Sequence, residues 1–437
     1  MPPGLKINFR GELFSATFTF GAMLVLRLGS SIVMSRLLYP EAYGLLAILM
    51  SIAFALEMLS DIGITGFLIR HERGGEQAVI NTLWTVRLVR GILNAALLYA
   101  LAPWIGRIYG DPLVGECLQV LSVFFVLGGV ETLGFVQAMR NQRARVVAYI
   151  ELGCTAVTTA CTIVMAYYLR NHWAMVFSIL LHRSLMTVCS YFVYPENRPR
   201  FGIDKTILRP LFDFAKVVMP ASMLTLAFSQ YDKIIFLKLF DIRLMGLYGV
   251  ANNLSGTVSG LAIKVSHTVL YPRCAHWNLT APALFTQKLY AENKKMLLPL
   301  VVLPAMVGGL AQPIVDIIYD PRYSQAGMIL KWAMIRASFE ALLFATLSIL
   351  NARGYIKGEL ISNFIRLMGV VALTGIGYHF MGLVGFLAGA AIEPLLALIF
   401  VTHRRYRLGL FNVRADMLIV GLSLVTWSIF SGISYVI

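Results

Sequence analysis

Charged residues are scarce in this chain of 437 residues, in which Asp, Glu, Lys and Arg together make up 14% of the sequence. Soluble domains carry about 25% charged residues, so the shortage excludes an ordinary soluble enzyme. The five cysteines include no CxxC pair, which argues against a zinc site or a disulfide framework. No GxxxxGKS/T, HExxH or GxSxG motif is present, so we expect no catalytic residue, no metal and no cofactor.

Apolar residues are abundant instead, since 58% of the chain is hydrophobic and its mean hydropathy is +0.74. A helix needs about 20 apolar residues to cross a bilayer, and runs of about that length follow one another along the chain. The sequence therefore predicts an all-α polytopic membrane protein with about 12–14 transmembrane helices. The predicted spans are 12–35, 43–69, 79–104, 114–139, 146–169, 172–194, 215–239, 244–271, 296–318, 325–352, 358–380, 382–402 and 416–436.

Basic residues outnumber acidic ones by 37 to 22, and their positions explain the net charge of +15. If the N-terminus is cytoplasmic, the connections on that side hold 22 Lys and Arg residues, and the opposite connections hold six. Cytoplasmic loops of membrane proteins carry such an excess. We therefore expect a multi-pass protein of the inner (cytoplasmic) membrane with its N-terminus in the cytoplasm, and no nucleic-acid partner.

An internal repeat relates the two parts of the chain. A shift of 202 positions aligns LLYPEAYGLLAI with LFDIRLMGLYGV, and a shift of 209 positions aligns Glu131 with Glu340. An even number of predicted spans separates the copies, so the two parts have the same orientation. We expect two parallel six-helix halves around a central cavity, 1–194 and 215–404, with a cytoplasmic linker at 195–214 and an additional C-terminal transmembrane segment in 405–437.

Short motifs recur in a fixed order at the ends of the predicted spans. They are SRLLYPEAYGLLAI (35–48), DIG (61–63), IYGDP (108–112), DKIIFLKLF (232–240), LMGLYGVANNL (244–254) and VLYP (269–272). Together they resemble the polysaccharide transporter family of O-antigen and exopolysaccharide flippases, which belongs to the superfamily of multidrug, oligosaccharidyl-lipid and polysaccharide exporters. The resemblance implies a flippase for a polyprenyl-diphosphate-linked oligosaccharide, used in lipopolysaccharide or exopolysaccharide synthesis, with a polysaccharide polymerase complex as a further partner.

Nine basic residues fall inside predicted spans. Each would cost at least about 2.5 kcal/mol near the bilayer centre, so these residues must be paired, reach an interface or line water. Some share their depth with an acid on the next span, which favours structural pairing over substrate binding. The depth-matched pairs are Glu57 with Arg90 and Asp61 with Arg87, and Glu340 with Arg366 is a similar but poorer match.

Other charges lie on polar helix faces without a depth-matched acid, notably Arg27 and Lys264. Arginine offers a fork of donors and lysine a point charge, and both suit a diphosphate. Packing of small polar residues between helices is the alternative interpretation of these faces. The candidate substrate-binding residues are Arg27, Lys264, Lys233, Arg183 and Arg336, and the candidates for proton or sodium coupling are Asp232, Glu57, Asp61 and Glu393.

Two other functions share this composition. A multidrug-type small-molecule antiporter would have the same two-half architecture, but its cavity should favour acids and aromatic residues rather than nine in-span bases. A membrane polysaccharide polymerase would be expected to carry a large periplasmic loop, and the longest predicted periplasmic connection has about ten residues. The flippase is therefore the preferred prediction.

Overall fold

A computed structural model describes residues 9–141, 143–195, 198–266, 270–280, 284–355, 357–410, 421–422 and 425–431. All regular secondary structure in these ranges is helical, which confirms the predicted all-α membrane class. The chain forms two compact units, Met1–Lys233 and Ile234–Ile437.

The first unit is built from long apolar helices, several of which are interrupted. Its last helix continues past the end of the unit. The helices are α1 (Phe9–Leu37), α2 (Pro40–Leu59), α3 (Ile64–Arg70), α4 (Gln77–Tyr109), α5 (Pro112–Leu121), α6 (Val123–Val130), α7 (Gly134–Arg140), α8 (Ala144–Leu169), α9 (Trp173–Val193) and α10 (Lys205–Leu239).

The second unit has fewer and longer helices in its described part. They are α11 (Ile242–Val265), α12 (Tyr271–Thr280), α13 (Phe285–Gly309), α14 (Ala311–Ile318), α15 (Ala326–Ala352) and α16 (Lys357–Arg407), with a 3-10 turn at Pro321–Tyr323. Helical residues also occur at 421–422 and 425–431.

Eight of the described helices are long and apolar enough to cross a membrane by length and composition. A ninth candidate is the bent pair Leu300–Gly309 and Ala311–Ile318, whose two parts meet at 67°. Three predicted spans are each divided into shorter helices: 43–69 into α2 and α3, 114–139 into α5, α6 and α7, and 296–318 at the bend between α13 and α14. The breaks matter because a non-helical backbone within a span must find hydrogen-bond partners in the protein.

Helix α16 reverses direction within its own length. Gly382 has φ 56° and ψ −131°, a conformation that a residue with a Cβ rarely adopts. A Cβ on Gly385 would overlap the carbonyl oxygen of Gly377, so the two arms approach through bare backbone. The arms correspond to the predicted spans 358–380 and 382–402, which are joined with almost no connection.

Candidate functional site

The break between α2 and α3 places two acids beside a cavity of the first unit. The Asp61 carboxylate accepts a hydrogen bond from the backbone N–H of Gly63, with Oδ1 at 2.9 Å. Gly63 has φ +73°, in the left-handed region that favours glycine. The side chain of Asp61 thus stabilises the turn that ends the helix, and Glu57 lies one helical turn earlier on α2.

One face of α10 packs against this break. A Cβ on Gly63 would lie 2.8 Å from the ring of Phe214 and 2.9 Å from a methyl of Val218. One turn further along the same face, the Ser222 hydroxyl donates to Asp61 Oδ2 at 2.9 Å. Phe214, Val218 and Ser222 recur every four residues, which keeps them on one side of the helix. The break and α10 therefore form one packed contact within the first unit.

The cavity beside the break has a volume of about 170 Å³ and is lined by charged residues of both signs. Its bases come from α4 and α9, and its acids from α2 and from the break after α2. Gly91 and Gly129 let α4 and α6 approach closely, since a Cβ on Gly91 would lie 2.6 Å from the carbonyl oxygen of Phe125. The charged lining residues are Glu57, Asp61, Arg87, Arg90 and Arg183, and the others include Asn94 and Phe124.

Two of the arginines share one acid, Glu131, at the break between α6 and α7. Arg87 Nη2 lies 2.8 Å from Glu131 Oε1, and Arg183 Nη1 lies 3.2 Å from Oε2. Arg87 also donates to the carbonyl oxygen of Gly128 at 2.9 Å. The Arg183 guanidinium stacks over the Phe124 ring at 5.1 Å from its centroid. Glu131 itself is 7% exposed, so it holds both arginines from the protein interior.

Arg90 is held much more loosely. Its Nη1 lies 3.6 Å from Asp61 Oδ1 and its Nη2 lies 4.0 Å from Glu57 Oε1. Both distances exceed hydrogen-bond length, so the guanidinium is attracted to two carboxylates while its donors stay available to a ligand. The predicted pair Glu57–Arg90 is present at this longer distance.

The predicted pair Asp61–Arg87 is wrong, because Arg87 turns toward Glu131. The comparison of depths was made only between adjacent spans, so it left out α6, which packs against α4 and is followed by Glu131. Glu131 was missed for the same reason, although the 209-residue repeat that aligns it with Glu340 gave a signal for it.

The second unit contains a closed counterpart to this charge cluster. Arg366 lies 2.6 Å from both Glu340 and Glu393, which confirms the predicted Glu340–Arg366 pair. Arg336 lies 3.3 Å from Glu340 and 3.7 Å from Glu393. Arg366 is 2% exposed and Glu393 is fully buried, so two bases and two acids compensate one another in the interior. Arg336 and Glu393, both candidates for function, belong to this cluster.

The remaining candidates fall elsewhere. The Arg27 side chain is exposed on α1, and no carboxylate of the described residues lies within ion-pair distance of it. Lys233 and Asp232 are on α10 and Lys264 is on α11, but their side chains lie outside the described part of the chain. The structure thus brings together Arg183, Glu57 and Asp61 and adds Arg87, Arg90 and Glu131.

The chain has the fold of two solved membrane transporters. A lipid II flippase, MurJ, in an inward closed conformation matches with TM-score 0.71 and 12% identity over 97% of this chain and 98% of that chain. An inward-facing multidrug resistance MATE family transporter of the MOP superfamily matches with TM-score 0.64 and 14% identity over 91% and 94%.

The family model described as polysaccharide biosynthesis protein matches residues 33–327, and the chain belongs to this family. It is 22% identical to the succinoglycan biosynthesis transport protein ExoT of Rhizobium meliloti, over 91% of this chain and 83% of that protein. It is 21% identical to the amylovoran biosynthesis protein AmsL of Erwinia amylovora, over 67% of this chain and 75% of that protein. The family resemblance drawn from the motifs is confirmed.

Proposed function

We propose that this protein is a flippase that moves a polyprenyl-diphosphate-linked oligosaccharide repeat unit across the inner membrane for surface or secreted polysaccharide synthesis. Its family and the transport role in the name of its succinoglycan relative support this function. The observation that carries the proposal is the cavity of the first unit, in which Arg90 faces two acids without a hydrogen bond to either. A membrane-embedded cation with free donors is suited to a phosphate group.

The charged side chains at the cavity balance one another. Arg87, Arg90 and Arg183 stand against Glu57, Asp61 and the shared Glu131. A diphosphate that entered would replace two long carboxylate contacts of Arg90 with short charge-assisted hydrogen bonds. Glu57 and Asp61 would then lose the positive charge that compensates them. Protonation of these acids, or a cation bound to them, would offset it, and this links anion binding to an ion gradient.

The other candidates receive different roles in this proposal. Arg183 contributes to the diphosphate site, and Arg27, Lys233 and Lys264 supply further positive charge along the substrate's path. Asp232 remains a candidate for ion coupling. Arg336 and Glu393 are assigned a structural role, because their charges are compensated within a closed cluster. A polysaccharide polymerase complex would receive the flipped unit.

The proposed topology places the N-terminus in the cytoplasm, with parallel halves at 1–194 and 215–404 joined by the linker at 195–214. Reporter fusions after Arg70, Arg145 and Arg209 should report a cytoplasmic location. Fusions near Asp111, Asn171 and Asp320 should report a periplasmic one. A reversed pattern would contradict this orientation and the repeat-based arrangement of the halves.

A multidrug-type antiporter is the alternative, and the MATE-like fold is compatible with it. The two functions differ in their genetic consequences. Deletion of the flippase gene should abolish a surface or secreted polysaccharide while its lipid-linked repeat unit still accumulates on the cytoplasmic leaflet. Accumulation of flipped but unpolymerised units would identify a polymerase or later factor, and altered drug resistance with intact glycan would identify the antiporter.

Complementation of the deletion strain tests the cationic path. Arg27→Ala and Lys264→Ala should each reduce glycan export while the protein remains at normal abundance in the membrane, and Arg27→Lys should be milder. Export at the wild-type level by the double variant would remove these two residues from the path without affecting the family assignment.

A further inference from the structure

The segment 198–204, which we name the strap, is bound along the start of α4. The Gln77 side chain donates to the carbonyl oxygen of Arg198 at 2.9 Å, and the backbone N–H of Arg200 donates to Asn81 at 2.8 Å. The N–H of Gly202 then donates to the Thr85 hydroxyl at 3.1 Å. These three backbone groups of the strap are therefore satisfied by side chains of a helix rather than by a sheet.

Two residues of extended chain advance by nearly the same distance as one turn of helix, which explains how the strap can follow α4. Two residues of extended chain advance by about 6.6 Å, and four residues of helix advance by about 6 Å. Strap residues 198, 200 and 202 thus remain in register with Gln77, Asn81 and Thr85. After Gly202 the chain turns back, and the N–H of Asp204 donates to Thr82 at 3.0 Å.

The strap presents basic and apolar side chains on its outer surface. Arg198 and Arg200 are exposed, Phe201 is 76% exposed and Ile203 is 61% exposed. The Phe201 ring meets the Trp84 ring edge-to-face, with centroids 5.2 Å apart, so one edge of it is anchored. The start of α10 adds two more exposed bases, Lys205 and Arg209. Residues 198–209 contain four bases and one acid, Asp204.

The length of α4 indicates the depth of this surface. Its 33 residues extend about 50 Å, whereas the hydrocarbon core of a bilayer is about 30 Å thick. The excess is suited to the headgroup level, and the first turns of α4 carry the polar side chains that hold the strap, Gln77, Asn81, Thr82 and Thr85. Anionic headgroups attract bases at this level, and apolar side chains enter the boundary beneath them.

We propose that the strap is a docking surface for anionic phospholipid on the predicted cytoplasmic leaflet. The bases bind the headgroup phosphates, and Phe201 and Ile203 insert between the acyl chains near them. Because α4 carries Arg87 and Arg90, a strap fixed to the leaflet would hold the cavity-bearing unit at a constant depth. The proposal uses the topology given above and does not depend on which substrate is transported.

The test is tryptophan quenching by brominated phosphatidylglycerol, titrated into the full-length protein in neutral detergent. The signal from the strap is the part of the quenching that Trp84→Phe removes. In Arg198→Gln/Arg200→Gln, the lipid concentration at half-quenching should rise roughly tenfold or more, because each base near an anionic surface contributes about fivefold. Arg198→Lys/Arg200→Lys should stay close to the wild type, since the charge is retained.

The matched control removes two exposed bases from the predicted opposite side, as Arg107→Gln/Arg243→Gln, and should leave the titration unchanged. Raising the salt to about 0.3 M should weaken the wild-type interaction, because screening acts on exposed charges. Equal quenching by brominated phosphatidylcholine would overturn the proposal, as would an unchanged midpoint in the glutamine variant. Equal quenching would mean lipid contact without a preference for anionic headgroups, and an unchanged midpoint would make an acidic protein the better candidate partner for the bases. Glycan export is not the readout, so the result is independent of the flippase assignment.

Discussion

The Ser222 hydroxyl on α10 donates a 2.9 Å hydrogen bond to Oδ2 of Asp61, at the break between α2 and α3. The other oxygen of that carboxylate accepts the N–H of Gly63 and lies 3.6 Å from Arg90. One acid therefore contacts a helix break, a cavity arginine and α10 at once. If Arg90 moved to another partner, the charge around the Asp61 carboxylate would change, and the hydrogen bond from Ser222 of α10 to this carboxylate would change with it.

Ser222→Ala should slow glycan export while leaving membrane abundance unchanged. The substitution removes a hydroxyl that donates to a charged acceptor, an interaction worth about 1.5–3 kcal/mol. Export rate per molecule, measured by pulse-labelling of surface glycan against immunoblot abundance, is the readout. Ser338→Ala is the matched control, because the Ser338 hydroxyl donates within its own helix, at 3.0 Å to the carbonyl oxygen of Met334, and to no other described residue. Equal effects of both variants on export would contradict a role of the Ser222–Asp61 hydrogen bond in transport.

Arg90→Ala should weaken binding of a lipid-linked diphosphate by about 10-fold to 150-fold, the range expected when charge-assisted hydrogen bonds are lost. Arg90→Lys should be intermediate, because the charge remains but the fork is lost. The dissociation constant for a polyprenyl diphosphate, measured in detergent by microscale thermophoresis, provides the comparison. Arg107→Ala, at the other end of α4, is the control, and an affinity of Arg90→Ala equal to that of the control would remove Arg90 from the site.

Glu131→Gln should strongly reduce the stability of the folded protein. Glu131 is the acid nearest to both Arg87 and Arg183, and removing one partner of a buried pair costs about 3–5 kcal/mol. The amide can still accept one hydrogen bond, but it cannot compensate two charges. A large fall in the thermal unfolding temperature in detergent is the expected result. Glu116→Gln on α5 removes an exposed acid that forms no ion pair with the described residues, and it should have a small effect.

Arg366→Met should be strongly destabilising, and Glu393→Gln in the same chain should restore most of the lost stability. The single change leaves two glutamates with one of the cluster's two arginines, Arg336, whereas the double change leaves the Arg336–Glu340 pair intact. Thermal unfolding of the two variants gives the comparison. Arg73→Met, which breaks an exposed pair with Glu76, should produce no measurable change. An additive loss in the double variant would show that the cluster is not a compensated unit.

Acidification should destabilise the connection between α8 and α9 through His172. Burial lowers the pKa of this imidazole below its ordinary value of about 6.5. The unfolded chain therefore binds the proton more readily, so the stability that neutral His172 contributes is present above that value and is lost as the pH falls through the lowered pKa. Between about pH 8 and 5, the thermal unfolding temperature should fall less with acidification in His172→Asn than in the wild type. The same fall in both proteins would contradict this.

The hydrophobic pattern predicted the helical segments well, because apolar runs of membrane length have few alternative structures in lipid. The spans 358–380 and 382–402 correspond to the two arms of α16, and the span 325–352 corresponds closely to α15. The internal breaks at Asp61 and Glu131 were not predicted. At the first, the Asp61 carboxylate accepts the backbone N–H of Gly63, and at the second, the Ser190 hydroxyl of α9 accepts the backbone N–H of Thr132 at 3.0 Å. Hydropathy carries no information about these contacts.

The charge cluster was only partly predictable. Depth matching found Glu57–Arg90 and Glu340–Arg366, since each pair lies on antiparallel or adjoining helices. It failed for Arg87, whose partner comes from a segment outside the compared hairpin. The repeat gave better information than depth, because Glu131 and Glu340 align in sequence and each is shared by two arginines in its own unit.

The reversal at Gly382 has a consequence for how the length of this protein can vary. With Gly377 and Gly385 in contact across the two arms, the hairpin has no loop in which an extra residue could be placed. One inserted residue would rotate every later side chain of the second arm by about 100° and would move Glu393 away from Arg366. Length changes in this part of the protein should therefore be confined to its other connections, and an epitope tag belongs in those connections rather than at the Gly382 turn.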